Sequence, residues 1–396
     1  MYTARKVTED ICFVGGEDRR LNLFENVYPV PQGVSYNAYL ILDEKTCLMD
    51  CVDKSAAEVL FENLDRCLGG RGLDYVVVQH MEPDHSAALM RVLARYPEAK
   101  LVTSKKALDM VSRFFGKDLT ERAVIVGEGG TLSLGRHSLR FVAAPMVHWP
   151  EVLMTYDEAS GALFTADAFG TFGALDGAVF ADEVDFDRDY MDEARRYYTN
   201  IVGKYGAQVQ SVLKKAAGLD IKMLCPLHGF VWRKELDLIL DKYQKWSSYT
   251  AEEAGVTLAY GSVYGNTENA ARALASLLRE RGVKVRMFDV SVTHPSYIIA
   301  SCFRYSAIVL AAPTYNNGVF VNMEAFINDL TAHGLKGRKV ALMQNGTWAP
   351  NSAAGMRKLL EGAKGLDIME ETVTVPSALR DDAELIKLAD ALAAAV

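Results

Sequence analysis

The sequence predicts an α/β protein in two parts, the second of them a doubly wound parallel sheet. Three observations predict it. The chain has 396 residues, half of them apolar and 24% charged, which fits two or three ordered domains and excludes disordered and fibrous classes. Up to about residue 250, short strand-like runs alternate with turns rich in Gly and Asp. From Val256 onward, apolar strands alternate with helices, the rhythm of a parallel sheet covered on both faces.

In chain order, strands are expected at 37–42, 46–50, 75–79, 101–103, 123–125, 139–143 and 163–165. Helical periodicity covers 55–67, 86–96 and 105–115. Residues 192–216 read as one or two longer helices. Residues 234–254 read as a further helix leading to a boundary, so the expected domains are 1–254 and 255–396. In the second domain, strands are expected at 256–260, 283–288, 307–312, 339–344 and 371–375, with a helix at 268–281 after the first. The run 307–312 is apolar throughout, as suits a strand buried on both faces.

Charge narrows the function. The net charge is −8, and residues 1–255 carry all the excess acid, 29 Lys and Arg against 38 Asp and Glu. A nucleic-acid binder should be basic, so no nucleic-acid partner is expected. No apolar run approaches the ~20 residues of a membrane span, and no secretory signal is visible. The expected location is the cytoplasm. The six cysteines (Cys12, Cys47, Cys51, Cys67, Cys225 and Cys302) form no C-x-x-C pair and read as reduced thiols in the core or at the surface.

The strongest motif is His80-Met81-Glu82-Pro83-Asp84-His85, directly after an expected strand. It places four metal-ligand types within six residues. His148, Asp167 and His228 follow, each in a turn or after a strand-like run. His137, His294 and His333 read instead as surface or hydrogen-bonded residues. Seven nitrogen and oxygen ligands suit two metal ions sharing one carboxylate. His80, Glu82 and His148 are assigned to one ion, Asp84, His85 and His228 to the other, and Asp167 to the bridge. Mixed imidazole and carboxylate ligands favour iron or manganese in a redox role, while zinc also accepts them.

The second domain opens with Ser262-Val263-Tyr264-Gly265-Asn266-Thr267 between a strand and a helix. Such a loop presents backbone N–H groups and a helix N-terminus to a phosphate, or simply caps the helix. Two more loops follow later strands, Pro313-Thr314-Tyr315-Asn316-Asn317-Gly318 and Asn345-Gly346-Thr347-Trp348. All three lie at strand C-termini, where doubly wound sheets bind ligands. Tyr315 and Trp348 are placed to flank a flat ring, or to cap the sheet. The first loop lacks both the P-loop lysine and G-x-G-x-x-G spacing, which favours a mononucleotide.

The spacing H-x-[HE]-x-D-H, then His, Asp and His, resembles the metallo-β-lactamase fold, whose zinc hydrolases usually carry His where this chain has Glu82. Glu at that position, followed by a flavodoxin-like module, resembles the flavodiiron proteins. The likeness spans essentially the whole chain and includes Tyr36-Asn37-Ala38-Tyr39-Leu40, Pro145-Met146-Val147-His148-Trp149-Pro150, Asp167-Ala168-Phe169-Gly170 and Tyr197-Tyr198. It implies a metallo-β-lactamase-like αββα sandwich followed by a flavodoxin-like doubly wound sheet, with a diiron centre in the first and FMN in the second.

The resemblance also implies an oxidoreductase. FMN holds two electrons and two ferrous ions supply two more. Four match reduction of O2 to two waters, and two match coupling of two NO to N2O. In that family a head-to-tail homodimer sets the FMN of one subunit beside the irons of the other, with Glu82 and Trp149 as candidates for the residues facing the partner's flavin. Tyr197 matches a family tyrosine near the diiron pocket, placed to donate a hydrogen bond or proton to bound oxygen, although a packed helix tyrosine is an equal reading. Some relatives carry a pocket histidine near the position of Glu25, which leaves the preference between O2 and NO open. The expected electron donor is external, a rubredoxin-like protein or reduced coenzyme F420. Two alternatives stand beside this one: mainly an NO reductase, and a dizinc hydrolase with a flavodoxin-like appendage.

Overall fold

A computed structural model describes residues 3–396. The chain divides into two compact units. One takes the residues up to Tyr198 and Ala207–Gln244, the other Thr199–Gly206 and Lys245–Val396.

The first unit contains a seven-stranded and a five-stranded sheet. The larger begins antiparallel, with Arg5–Lys6, Ile11–Phe13, Tyr39–Leu42 and Thr46–Met49, and continues parallel through Tyr75–Val78, Lys100–Thr103 and Ala123–Ile125. The parallel strands need crossovers, which the helices Ala57–Leu68, Leu89–Arg95 and Lys105–Phe115 supply. Ser104 caps the last of these by accepting from the Ala107 N–H, and Gly116 ends it in the left-handed conformation. The smaller sheet runs Thr131–Ser133, Ser138–Ala143, Leu153–Asp157, Ala162–Phe164 and Met223–Cys225. The two sheets meet through apolar side chains such as Tyr39 and Phe164, whose rings contact edge to face at 5.3 Å.

The expected long helix at 192–216 is a broken one. It runs as Met191–Tyr197, a wide turn over Tyr198–Val202, a tight turn over Gly203–Tyr205, and Gly206–Ala216. The helix expected over 234–254 is shorter, Leu236–Ser247. Tyr249 takes a positive φ of 58°, and the N–H groups of Tyr249 and Thr250 return to the carbonyls of Trp246 and Lys245. This paired closure stops a helix, and the next strand starts at Glu253 rather than Val256.

The second unit has a sheet in the order Val285–Asp289, Glu253–Tyr260, Tyr305–Tyr315, Arg338–Asn345 and Leu366–Val375, parallel throughout. Numbered along the chain this is 2-1-3-4-5, the flavodoxin order, whose ligand crevice lies at the C-terminal strand ends. The central strands bury on both faces, as Ala307–Ala312 shows, and Ala270, Leu274 and Leu278 of the helix Asn266–Glu280 pack on one side. Among the described residues no helix is long and apolar enough to cross a membrane.

Candidate functional site

In the first unit four turns converge at strand ends. The strand Tyr75–Val78 leads into Gln79 and His80. Glu82 then precedes a one-turn helix, Pro83–Ser86, that carries Asp84 and His85. Proline at the first helical position sets that turn. His148 lies between Ser138–Ala143 and Leu153–Asp157, Asp167 follows Ala162–Phe164, and His228 follows Met223–Cys225. Ala166 and Phe169 on either side of Asp167 hold positive φ values of 50° and 69°, a strained turn of the kind found where a side chain is aimed for function.

All seven residues come together, in two groups. Donor atoms of His80, Glu82, His148 and Asp167 lie within 4.8 Å of one another, as do those of Asp84, His85 and His228. Asp167 sits between them. Its Oδ2 is 3.0 Å from His148 Nε2 and 3.3 Å from His80 Nε2. Its Oδ1 is 3.1 Å from His85 Nε2 and 3.7 Å from His228 Nε2. Glu82 Oε2 stands 3.0 Å from His148 and 3.2 Å from His80, while Asp84 Oδ2 stands 3.4 Å from His85 and 3.2 Å from His228.

The donor set fits cations. Both Asp84 oxygens, both His85 ring nitrogens, Asp167 Oδ1 and His228 Nε2 are buried without a hydrogen-bond partner. Leaving such groups unpaired costs roughly 1–3 kcal/mol each, and a pair of metal ions would satisfy the carboxylate oxygens and the Nε2 atom of each imidazole together. Two imidazoles are also fixed from behind. His80 Nδ1 donates to Glu151 Oε1 at 2.8 Å, and His228 Nδ1 to the Ser35 carbonyl at 2.7 Å, which turns Nε2 of each toward the centre.

Without a cation the charges hold one another. Burial opposes a charge on His148, yet its contacts with Asp167 and Glu82 raise its pKa to about 9. His80 and His85 are likewise raised against burial, His80 chiefly by Asp167 and His85 by Asp84 and Asp167. Asp167, despite complete burial, is held well below the usual carboxylate range by His85 and His80.

Tyr197 is fully buried beside this centre. Its ring is 5.5 Å from that of His228, and its hydroxyl has no hydrogen-bond partner. Burial and the charge of Asp167 push that hydroxyl well above its normal pKa, so it keeps its proton. Close approach needs Gly170, where an added Cβ would fall 2.8 Å from the Tyr197 ring.

Four supporting groups were missed in the sequence. Glu151 lies three residues after His148 and accepts from both His80 and the Met81 N–H. Asp50 ends the strand Thr46–Met49 and accepts from the Gln79 N–H at 2.8 Å. The Ser35 carbonyl carries no side-chain signal. Glu25, noted only for departing from the histidine of some relatives, is exposed at the rim, and partial desolvation with the neighbouring Glu82 charge raises its pKa. The three set-aside histidines have ordinary partners: His137 contacts Asp157 and Asp10, His294 accepts from the Ser296 N–H, and His333 donates to the Asp329 carbonyl.

In the second unit the three loops line one cavity of about 550 Å³. Ser262, Val263, Tyr264, Asn266, Thr267, Pro313, Thr314, Tyr315, Asn316, Asn317, Asn345, Gly346, Thr347 and Trp348 face it. Gly265 and Gly318 do not line it. Gly265 opens the helix Asn266–Glu280 with φ 88°, and Gly318 belongs to a short hairpin against Thr314–Tyr315. Ala349 and Ser377 join the lining, Ser377 from a fourth loop after Leu366–Val375. The rim is aromatic and open, with Tyr264, Tyr315 and Trp348 all exposed. A helix N-terminus at one end and aromatic rings at the other fit a phosphate joined to a flat ring system.

Fold and site together define a protein that joins a metallo-β-lactamase-type sandwich, with a two-centred cluster of ligand-type side chains, to a flavodoxin-type sheet. Residues 34–229 match the family model described as ODP family beta lactamase, and residues 258–375 match that of flavodoxin. A nitric oxide reductase of Moorella thermoacetica is 32% identical over 358 residues, 90% of this chain and 88% of that one. An anaerobic nitric oxide reductase flavorubredoxin of Vibrio vulnificus is 31% identical, covering 86% and 70%. The solved rubredoxin oxygen:oxidoreductase of Desulfovibrio gigas superposes with a TM-score of 0.90 at 26% identity, over 99% of this chain and 97% of that one. The flavodiiron protein of Giardia intestinalis gives 0.85 at 25% identity, over 98% and 95%. The chain belongs to the flavodiiron protein family, a family of oxidoreductases.

Proposed function

We propose that this chain reduces O2 to water, NO to N2O, or both, at a diiron site fed by FMN and an external donor. The single observation that carries the reading is Asp167, whose two oxygens each face a separate trio of ligands. His80, Glu82 and His148 would hold one iron, Asp84, His85 and His228 the other, with Asp167 shared. The loops around Ser262, Thr314 and Asn345 would hold FMN. Residues 1–254 then act as the diiron domain and 255–396 as the flavin domain. Bound together, two irons and a flavin supply the electrons that either reduction requires.

The chain's own residues order the site. Glu151 and the Ser35 carbonyl hold two imidazoles in the tautomer that offers Nε2. Tyr197 keeps the proton on its hydroxyl and is the group to donate it to the oxidant. The Moorella relative's name favours NO, and the Desulfovibrio protein's name favours O2. A head-to-tail homodimer, a rubredoxin-like donor or reduced coenzyme F420, and a cytoplasmic setting complete the reading by family likeness.

The test is anaerobic reduction followed by stopped-flow mixing with O2 and, separately, NO. Rapid reoxidation by at least one gas, with the flavin and iron bands changing together, supports the reading. Flavin reoxidation with no metal-linked change overturns it.

A further inference from the structure

In the second unit the helix Ser352–Leu360 is capped from the sheet rather than by its own first residue. Asn at an N-cap ordinarily turns its side chain back onto the first N–H groups of its helix. Asn351 holds that position and makes no such bond. Two strands cap the helix instead. Thr314 Oγ1, on the third strand, accepts from the N–H groups of Asn351 and Ser352 at 2.9 and 3.1 Å. Gln344 Oε1, on the fourth, accepts from the Ala353 N–H at 3.0 Å. The Asn351 side chain reaches outward. Its Nδ2 donates to the Asn317 carbonyl at 2.9 Å and to Asn317 Oδ1 at 3.0 Å. Its own Oδ1 is buried without a partner, so both of its side-chain hydrogen bonds go to that one residue.

Asn317 belongs to a demanding turn. With Asn316 it closes the hairpin in which Thr314–Tyr315 pairs with Gly318–Val319, and the two residues hold φ values of 47° and 58°. A two-residue turn of this kind needs a left-handed backbone at both positions, which costs any residue with a Cβ and costs Asn least. The same helix also presses on the far side of the hairpin, since a Cβ added at Gly355 would fall 2.5 Å from Val319. The hairpin is thus held at two points, by Asn351 and beside Gly355. Tyr315, Asn316 and Asn317 line the cavity of the second unit, while Asn351 does not.

We propose that Asn351 is a positioning residue of the flavin cavity, tying the Asn316–Asn317 turn to the helix and so fixing how Tyr315, Asn316 and Asn317 meet the flat ring. The inference rests on the reading of this cavity as the FMN site. A turn released from the helix samples other backbone conformations, and ordering it again on binding subtracts from affinity. Loss of the amide's two bonds corresponds to roughly tenfold weaker flavin binding, which appears in the release rate. Asn351→Ser makes the cut cleanly: it keeps a preferred cap residue, adds no charge and is too short to reach Asn317. Arg357 supplies the control. It lies on the same helix and donates to the carbonyls of Met369 and Glu370 at 2.7 and 3.2 Å, on the fifth strand and away from the turn.

The experiment compares the full-length, FMN-loaded wild type with Asn351→Ser and Arg357→Ala. Flavin fluorescence follows FMN release on dilution, visible circular dichroism reads the setting of the bound ring, and urea midpoints read stability. Asn351→Ser should release FMN roughly tenfold faster and alter the flavin dichroism. Arg357→Ala should lower the urea midpoint and keep the wild-type release rate and dichroism. Should Asn351→Ser fold poorly, Asn351→Asp gives the same reading, because a carboxylate favours the helix N-terminus yet cannot donate to Asn317. Wild-type release and dichroism in Asn351→Ser, or release speeded equally by Arg357→Ala, overturns the proposal alone. A wild type that holds no FMN overturns the reading of the cavity and the proposal with it.

Discussion

Replacing Glu151 by Gln removes one charge and almost no volume. Glu151 Oε1 accepts from His80 Nδ1 at 2.8 Å and from the Met81 N–H at 2.9 Å, and the side chain is completely buried. A Gln oxygen can keep both bonds. Its NH2 must then take the place of Oε2, which has no partner. Two costs follow. The His80 imidazole becomes a weaker ligand, and loss of a carboxylate behind a metal-bound histidine typically costs 10–100-fold in affinity, about 1–3 kcal/mol. In the metal-free protein the charge lost opposite His80 weakens that buried contact, which lowers stability by about 1–3 kcal/mol as well. Anaerobic competition for ferrous iron against a chromophoric chelator reads the first, and urea unfolding of metal-free protein reads the second. Asp157→Asn is the control, because it weakens the His137 pair, which touches no ligand. Glu151→Gln should weaken metal binding, whereas Asp157→Asn should lower stability alone. Equal metal affinity in wild type and Glu151→Gln would refute the reasoning.

Five more predictions follow from the same geometry. Metal-free protein carries His148 with a pKa of about 9, so its charge stabilises the fold fully below the unfolded value near 6.5 and this is lost as pH rises through 9, a swing of about 3 kcal/mol. Metal loading at pH 7 must expel protons from His148 and His80, which a pH-stat during anaerobic iron addition counts; no release contradicts the ligand set. Tyr197→Phe removes a hydroxyl that has no partner, so stability and metal content should hold while reoxidation by the preferred gas slows by about 10²-fold in rapid mixing. Asp84→Asn should keep the flavin spectrum and lose gas reduction, and retained turnover would count against the second trio. Gly229→Ala forces a Cβ to 2.3 Å from Thr171 at φ +77°, so the denaturant midpoint should fall by the equivalent of about 1–3 kcal/mol.

The ligands were legible because the chemistry is dense in the sequence. His80, Glu82, Asp84 and His85 fall within six residues, and no packing or solubility need explains that pattern. The second sheet was legible because Ala307–Ala312 is too apolar for any exposed face. What stayed hidden depends on contacts between distant segments. Leu153–Asp157 is a wholly buried strand, but its Thr155 and Asp157 break the apolar signal, and Asp157 is buried only because His137 meets it. The helix end at Ser247 rests on Tyr249 in a left-handed conformation, which sequence rarely announces without glycine. Glu151 is one acid among 51 acidic residues until the fold sets it behind His80. Ser377 reaches the cavity only because the fifth strand ends beside the fourth.

The most direct measurement of the central claim is the cofactor content of the protein as purified under anaerobic conditions. Metal analysis and the released-flavin spectrum should give about two iron and one FMN per chain, and Asp167→Asn should lose iron while keeping FMN. Zinc in place of iron with no flavin, or full iron retention in Asp167→Asn, would contradict it.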